Sequence, residues 1–263
     1  MSVDQDPTVR FSNRASYYAN CRPGYPDSVV EAVRADPGLP RDAVIVDIGS
    51  GTGLSAELFL RNGYHVFAVE PNPLMRHAEE ERLRRYPGFH SVNGRAEATT
   101  LPPSCADLIV CASAFHWFDP DRARAEFRRL LRPQFAVAIM RNGRDAEGSA
   151  FMRSYTDIFR RYSARVRAHH NREERIRNFF GGHGYRTFVL NYREQIDFER
   201  LRGRILSYSS IPLPGESGYG AMMEELRAAF DREAEDGEVW YLGEITLHIG
   251  YLEDDVSNTA ITG

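Results

Sequence analysis

The sequence predicts an α/β protein with a mostly parallel, doubly wound seven-stranded sheet, helices on both faces and a small helical lid insertion. Three observations support this fold class. The chain has 263 residues, 42% of them apolar, which is enough for one large core. Residues 43–141 alternate short β runs with amphipathic helices. The run at 43–48 is apolar except for Asp47, as in a strand buried on both faces, and a glycine-rich turn follows it.

The elements follow in order along the chain. Residues Asn72-Pro73 and Asp119-Pro120 each place a capping side chain before a proline at the first helical position. After Arg141, apolar residues recur at helical spacing from 151 to 166. Strands are predicted at 43–48, 65–69, 89–92, 106–111, 135–140, 188–196 and 239–251, the last as a long strand or hairpin. Helices are predicted at 54–62, 73–85, 121–131, 151–166, 198–208 and 219–234.

We expect residues 1–263 to form one domain. Residues 1–42 are expected to supply lead-in helices that act as a lid. Segments 43–147 and 185–251 are expected to carry the sheet. Residues 148–184 are expected to form a helical insertion over the substrate site.

The cation content excludes several chemistries. All 33 basic residues are arginine, so no Schiff-base lysine, pyridoxal phosphate anchor or Walker lysine is available. Residues 153–204 carry 13 arginines and 6 acids, whereas residues 205–263 carry 2 arginines and 12 acids. The basic block indicates either an anion site or a solvated helix face that docks on the acidic C-terminal third.

Composition also sets the expected location and partners. No apolar stretch reaches the roughly 20 residues of a membrane span, and no signal peptide opens the chain. The three cysteines form no paired framework, as expected of a cytoplasmic protein. His169, His170 and His183 lack a carboxylate at ligand spacing, so no metal is expected.

The glycine-rich turn, Asp47-Ile-Gly49-Ser-Gly51-Thr-Gly53, carries the main chemical signal. A dinucleotide fingerprint needs its third glycine one position later, and Asp47 would repel a pyrophosphate while attracting an ammonium group. Glu70 ends the second predicted strand, where a carboxylate can accept both hydroxyls of a ribose. A ligand with a ribose, a cationic end and no diphosphate fits, and S-adenosylmethionine (SAM) is such a ligand.

Five ordered motifs carry a family resemblance. They are the glycine turn at 47–53, Val69-Glu70-Pro71-Asn72, Gly94-Arg95-Ala96-Glu97, Ala106-Asp107-Leu108-Ile109 and Ala114-Phe115-His116-Trp117. With them, the stretch from Val44 to Arg132 resembles the class I SAM-dependent methyltransferases, which have a Rossmann-like fold. It is most similar to their small-molecule branch, which includes the trans-aconitate methyltransferase-like enzymes.

The resemblance implies a set of cofactor-binding residues and S-adenosylhomocysteine as the product. The methionine part of SAM would lie on Asp47 and the loop, the ribose on Glu70, the adenine near Met75 and Glu97, and the sulfonium beside Ala114. Glu97 could instead be an acid in the first turn of a helix, and Met75 could be ordinary core. The full cofactor set is Asp47, Gly49, Ser50, Gly51, Gly53, Glu70, Pro71, Asn72, Met75, Ala96, Glu97, Ala114, Phe115 and Arg22.

The acceptor side is predicted from side-chain chemistry. His116 and Tyr18 are the candidate catalytic residues, although His116 could instead orient a neighbour, and methyl transfer can proceed by alignment without a base. Arg22 could clamp a carboxylate of SAM or of the substrate, or could pack on the sheet edge. The candidate substrate residues are Tyr18, Tyr25, Trp117, Arg141 and Tyr155.

The predicted function is methyl transfer from SAM to an O, N or C of a small acceptor, and the arginines suggest an anionic one. The alternative is an enzyme of the same fold that cyclises or cleaves SAM and releases methylthioadenosine. A nucleic-acid methyltransferase and a protein that binds SAM without catalysis are less favoured. The predicted partners are a small-molecule acceptor, with no nucleic acid and no membrane, in a monomer or homodimer.

Overall fold

A computed structural model of the chain describes residues 21–164, 172–181 and 184–252. Its strands are β1 (Val44–Ile48), β2 (His65–Val69), β3 (Phe89–Val92), β4 (Ala106–Ala112), β5 (Leu131–Arg144), β6 (Tyr185–Ile196) and β7 (Val239–Tyr251). Its helices are α1 (Ser28–Ala35), α2 (Leu54–Arg61), α3 (Pro73–Leu83), α4 (Pro120–Leu130), α5 (Ala150–Tyr162), α6 (Arg172–Phe180), α7 (Phe198–Leu206) and α8 (Tyr219–Glu233).

The strands form one sheet in the order β3-β2-β1-β4-β5-β7-β6. Strands β1 to β5 pair in parallel, whereas β7 pairs antiparallel with both β5 and β6. The predicted α/β fold with a mostly parallel seven-stranded sheet is therefore confirmed. The chain winds outward from β1 in one direction to β3 and in the other from β4, so the order reverses between β1 and β4.

Each face of the sheet buries its own apolar cluster, because side chains alternate between faces along a strand. Ile45 of β1 packs in the cluster that includes α1 and α2. Val46 and Ile48 pack in the opposite cluster, with α4 and α6. Helix α1, which the sequence assigned to the lead-in lid, thus contributes buried residues to the main core. The remaining lid residues expected before Cys21 lie outside the described part of the chain.

A third cluster lies beyond the end of the sheet. Helices α5, α7 and α8 pack together there with the start of β7 and the end of β6. The segment expected to form one insertion, residues 148–184, is divided between two places. Helix α5 joins this third cluster, whereas α6 packs through Phe179 against the sheet-face cluster of α4.

Two boundaries differ from the sequence prediction in ways that affect the site. Strand β5 was predicted at 135–140 but extends to Arg144, because its pairing with β7 continues as far as Arg144 opposite Gly243. The helix predicted to reach residue 166 ends at Tyr162. Among the described residues, no helix combines the length and the apolar character needed to cross a bilayer.

Candidate cofactor and acceptor site

The candidate site lies at the carboxyl ends of β1, β2 and β4, on both sides of the point where the strand order reverses. In open α/β sheets this is the place where ligands bind. Asp47 is the second-last residue of β1, just before the glycine loop, Glu70 follows β2, and Ser113-Ala114 follows β4. The topology therefore brings together residues that are far apart in the sequence.

The three glycines of the loop share left-handed backbone angles but face different surroundings. Their φ angles are 69° at Gly49, 63° at Gly51 and 81° at Gly53, a region that residues with a Cβ avoid. A Cβ at Gly49 would lie 2.7 Å from the Cβ of Ala114, and one at Gly53 would lie 2.7 Å from Leu83 Cδ1. A Cβ at Gly51 would point into open space. The outer glycines thus allow close packing, while Gly51 faces the space left for a ligand.

Glu70 ties the loop to the second strand. Its Oε2 accepts a hydrogen bond from the Gly51 N–H at 3.0 Å, and its Oε1 accepts one from the Asn72 N–H at 2.8 Å. Burial raises the pKa of Glu70, and these two N–H groups act against that rise. A carboxylate has about four lone-pair positions, so both oxygens can still accept hydroxyl groups. Glu70 therefore holds the loop in addition to its predicted ribose role.

Asp47 is fully buried beneath the loop. Its Oδ2 accepts a 2.5 Å hydrogen bond from the Ser55 hydroxyl, whereas Oδ1 has no hydrogen-bond partner among the described residues. Burial raises the pKa of Asp47 to about 7, and the nearby Glu70 charge adds to the rise although Ser55 opposes it. A buried carboxylate oxygen without a donor is costly unless a ligand supplies one.

Glu79 is a third buried acid that the sequence analysis missed. It lies on α3 with no exposed surface, and its Cγ would be 3.1 Å from a Cβ at Gly53. Burial raises the pKa of Glu79 well above the usual range of a glutamate. The charges of Asp47 and Glu70 raise this pKa further, while the Ser50 hydroxyl opposes the shift. Glu79 therefore packs against the loop as a third buried acid beside Asp47 and Glu70.

These residues fit SAM. Asp47 offers an unsatisfied carboxylate oxygen beside a loop that a Cβ would crowd, and Glu70 offers the remaining lone pairs of its carboxylate. An ammonium group and ribose hydroxyls are donors that match such acceptors. The acidic character of this end of the sheet also favours a cationic ligand over a diphosphate.

The residues predicted to contact the adenine follow β2 and β3, at the β3 edge of the sheet. Asn72 caps α3 by accepting from the N–H groups of Leu74 and Met75 at 2.9 and 3.2 Å, which fixes the Pro71 turn. Met75 is buried but belongs to none of the three apolar clusters found among the described residues. Ala96 is buried in the α4-side cluster.

Glu97 binds the start of a helix. Its Oε1 accepts a 2.8 Å hydrogen bond from the N–H of Asp119, the N-cap residue of α4. An acid at this position is stabilised by the helix dipole. Glu97 lies in a turn outside any helix, so the alternative of an acid in the first turn of its own helix does not describe it, although its carboxylate contacts the start of α4.

A cleft of about 30 Å³ opens from the loop toward the acceptor side. Two predicted residues that precede the first helix, Arg22 and Tyr25, line it, and the Tyr25 hydroxyl lies 3.5 Å from the Ser113 Oγ. The other lining residues are Pro23, Gly49, Ser50, Gly51, Leu54, Ser55, Ala112, Ser113 and Asn142. The structure thus places Arg22 and Tyr25 beside the glycine loop, in a cleft that Gly49 and Gly51 also line. Tyr18 lies outside the described residues.

The remaining predicted residues are distributed around the cleft rather than in it. Phe115, His116 and Trp117 form a short 3-10 turn, in which the rings of His116 and Trp117 pack 4.6 Å apart. Phe115 packs edge-on against Phe179, with ring centres 4.9 Å apart. None of these three residues is among those that line the cleft.

Two further substrate candidates take different positions. Arg141 is exposed, and strand alternation places it on the opposite face from Asn142, which lines the cleft. Tyr155 is fully buried in the third cluster, where its ring lies 5.7 Å from that of Tyr241. In the described ranges, no group of three or more His, Cys, Asp or Glu side chains is placed to hold a metal ion.

Comparison with known proteins gives consistent matches. Residues 46–139 match the family model of a methyltransferase domain. An uncharacterized methyltransferase of Mycobacterium bovis is 31% identical over 164 residues, which cover 62% of this chain and 64% of that protein. An uncharacterized methyltransferase-like protein of Schizosaccharomyces pombe is 25% identical over 219 residues, 81% of this chain and 83% of that protein. The chain thus spans just under two thirds of the mycobacterial relative's length.

A solved structure agrees on the fold. A protein of Anaeromyxobacter dehalogenans, provisionally described as a type II methyltransferase, superposes with a TM-score of 0.67 at 24% identity. The match covers 88% of this chain and 98% of that one. The similarity therefore extends over the sheet and the helices that follow it.

Proposed function

We propose that the chain, in which residues 46–139 match the family model of a methyltransferase domain, is a class I SAM-dependent methyltransferase that transfers a methyl group from SAM to a small anionic acceptor. One observation carries the proposal. The glycine loop is bound to Glu70 through the Gly51 N–H, and it lies next to the buried Asp47 oxygen that has no hydrogen-bond partner among the described residues. The narrower assignment, to the trans-aconitate methyltransferase-like branch, rests on the motifs of the sequence alone. The acceptor's oxygen, nitrogen or carbon nucleophile would receive the methyl group.

The residues of the chain act mainly by orientation. When bound, SAM supplies a sulfonium-activated methyl group. Asp47 would bind the ammonium group, Glu70 the ribose hydroxyls, and Met75 the apolar face of the adenine. Arg22 and Tyr25 lie across the cleft from Gly49 and Gly51 and would position the acceptor. Alignment of the reacting groups can supply much of the rate enhancement of a transfer between two bound reactants.

The reaction of the bound SAM tests this proposal. SAM is incubated with the purified protein alone, and in parallel with a pool of small carboxylic acids, amines and phenols, and its products are followed by mass spectrometry. We expect intact SAM in the first sample, and S-adenosylhomocysteine with a methylated acceptor in the second. Conversion of SAM to methylthioadenosine without an acceptor would contradict methyl transfer and support cyclisation or cleavage of SAM.

A further inference from the structure

A group of buried and half-buried arginine and tyrosine side chains lies between the sheet and the third cluster, next to the cleft. We call it the arginine–tyrosine cluster, and it consists of Arg144, Arg204, Tyr155, Tyr208 and Tyr241. Arg144 ends β5, Arg204 lies on α7, and Tyr155 lies on α5. Tyr241 belongs to β7, and Tyr208 follows α7. Five segments of the chain therefore converge on one place.

Arg144 carries a charge that no acid neutralises among the described residues. Its guanidinium carbon lies 3.7 Å from the ring centre of Phe159, 5.3 Å from that of Tyr208 and 5.8 Å from that of Tyr155. Its Nη1 is buried and has no hydrogen-bond partner in the described part of the chain. Aromatic faces attract a cation but do not satisfy its N–H donors.

Arg204, in the same cluster, is an arginine whose charge is paired with an acid. It is fully buried, its Nη1 lies 2.7 Å from Glu194 Oε1, and its Nε donates to the Cys21 carbonyl at 3.1 Å. The same glutamate also pairs with Arg200 at 2.8 Å. Glu194 is thus shared between two arginines and leaves the charge of Arg144 uncompensated.

The phenols of the cluster respond to this positive field. The Tyr155 hydroxyl is buried without a hydrogen-bond partner among the described residues, and burial raises its pKa. Burial would also raise the pKa of Tyr208, but the Arg22 and Arg144 guanidinium groups outweigh it, and this pKa falls below the ordinary value. Burial and the neighbouring phenols raise the pKa of Tyr241 as well. Of these three phenols, the arginines therefore bring the pKa below its ordinary value only at Tyr208, whose ring lies near both the Arg22 and the Arg144 guanidinium groups.

The cluster is continuous with the cleft at two residues. Arg22 lines the cleft, and its guanidinium carbon lies 3.9 Å from the ring centre of Tyr208. Asn142 lines the cleft two residues before Arg144, on the same face of β5, and its Oδ1 accepts from the Tyr192 hydroxyl at 2.7 Å. Arg22 and Asn142 therefore border both the cleft and the arginine–tyrosine cluster.

We propose that Arg144 and Tyr155 bind a carboxylate group of the acceptor. Arg144 Nη1 and the Tyr155 hydroxyl would each donate one hydrogen bond to it, and the rings of Tyr208 and Phe159 would contact the adjoining carbon skeleton. This inference rests on the proposed function, since it names the acceptor class of that same site. It names Arg144, which lies outside the cofactor-binding loop, as the arginine that pairs with the negative charge of the acceptor.

Binding of carboxylates to the protein saturated with S-adenosylhomocysteine tests the inference. Calorimetry is performed with benzoate, succinate, citrate and inorganic phosphate, and with the neutral amides of the three acids. We expect at least one carboxylate to bind about tenfold or more tightly than its amide, because a charged partner strengthens the hydrogen bonds. Arg144→Gln should remove that preference and Tyr155→Phe should weaken it, while SAM affinity changes less than about twofold.

A matched control loses the same charge elsewhere. Arg186 is exposed on β6 and pairs with Asp36 at 3.1 Å, so Arg186→Gln should leave carboxylate binding unchanged. Three results would overturn the inference. They are equal affinities for the acids and their amides, no binding of any carboxylate, and an affinity for phosphate equal to that for the carboxylates. An unchanged preference in Arg144→Gln would overturn it as well. The SAM titration of the same samples is separate, so a protein that fails to bind SAM would refute the proposed function instead.

Discussion

At the residue scale, the glycines of the loop have different roles, because Gly49 allows close packing whereas Gly51 faces the space left for a ligand. Alanine substitution at each position tests the two roles separately. Gly49→Ala places a Cβ against Ala114 and Phe118 and also forces a left-handed backbone. Gly51→Ala meets only the backbone cost, about 1–2 kcal/mol. We expect urea denaturation to show a larger loss of unfolding free energy for Gly49→Ala. Equal losses in the two variants would contradict the packing role of Gly49.

The buried Asp47 predicts a specific dependence on pH. Its folded pKa of about 7 lies above the value of a free aspartate, so the folded ligand-free protein favours the protonated form. Its contribution to stability is complete below about pH 4 and is lost as the pH rises through about 7. SAM binding should follow the opposite trend, because the ionised carboxylate attracts the ammonium group.

Titrations between about pH 5.5 and about pH 8.5 measure both trends. The unfolding free energy of the ligand-free protein and the SAM dissociation constant should both fall until about pH 7 and then level off. Asp47→Asn should flatten both curves and weaken SAM binding. A SAM affinity that decreases with rising pH in this range would refute the role given to Asp47.

The unpartnered hydroxyl of Tyr155 predicts a stabilising substitution. Tyr155→Phe removes a buried polar group that finds no partner in the described structure, and this should raise the unfolding free energy by about 1 kcal/mol. Tyr162→Phe is the control, because the Tyr162 hydroxyl donates to Glu225 at 2.8 Å. Thermal unfolding of the ligand-free variants makes the comparison. Destabilisation by Tyr155→Phe would show that its hydroxyl is already satisfied without ligand.

At the element scale, the extension of β5 and its pairing with β7 position the arginine–tyrosine cluster. Arg144 faces Gly243 across the strands, and Tyr192 of β6 faces Gly243 from the other side. A Cβ at Gly243 would overlap the Tyr192 ring, so the glycine lets that ring cross β7 and reach Asn142. The register of three strands therefore sets the wall of the cleft.

Substitution of this glycine tests the coupling between strands and cleft. Gly243→Ala should displace the Tyr192 ring and destabilise the protein by about 1–3 kcal/mol, as overpacking does. Tyr192→Phe is the partner variant, because it removes the hydrogen bond to Asn142 without adding volume. Urea denaturation of both variants and of the double variant Gly243→Ala/Tyr192→Ala gives the result. If Tyr192→Ala does not restore part of the unfolding free energy that Gly243→Ala removes, the overlap between a Cβ at residue 243 and the Tyr192 ring is contradicted.

Local sequence signals predicted the elements where they were strong. The Asn72 and Asp119 caps predicted the starts of α3 and α4, and both side chains accept the expected backbone hydrogen bonds. The end of β5 had no such signal, because its last residues are polar and are held by pairing with β7, about 100 residues later in the chain. Long-range pairing of this kind is not encoded in the local pattern of residues.

At the scale of the whole molecule, the same contrast applies to the site. The loop and Glu70 were predictable, because glycine spacing and a strand-end acid are local features. Glu79 was not, since it opens a run of three glutamates on α3 that is typical of a solvated helix face, and only tertiary packing buries it. Arg144 was not predicted, because the strand was expected to end at residue 140 and only the observed extension of β5 gives residue 144 a defined face.

The central claim is that the loop, Asp47 and Glu70 form a SAM site, and calorimetric titration with SAM tests it most directly. The account predicts a dissociation constant in the micromolar range for the wild type. Glu70→Gln replaces one of the two acceptor oxygens by an NH2 donor, so it breaks one of the hydrogen bonds from Gly51 and Asn72 and should weaken SAM binding by at least about tenfold. Glu81→Gln on the exposed side of α3 is the control and should bind as the wild type does. No heat of SAM binding in a folded wild-type protein, or equal affinity in Glu70→Gln, would contradict the account.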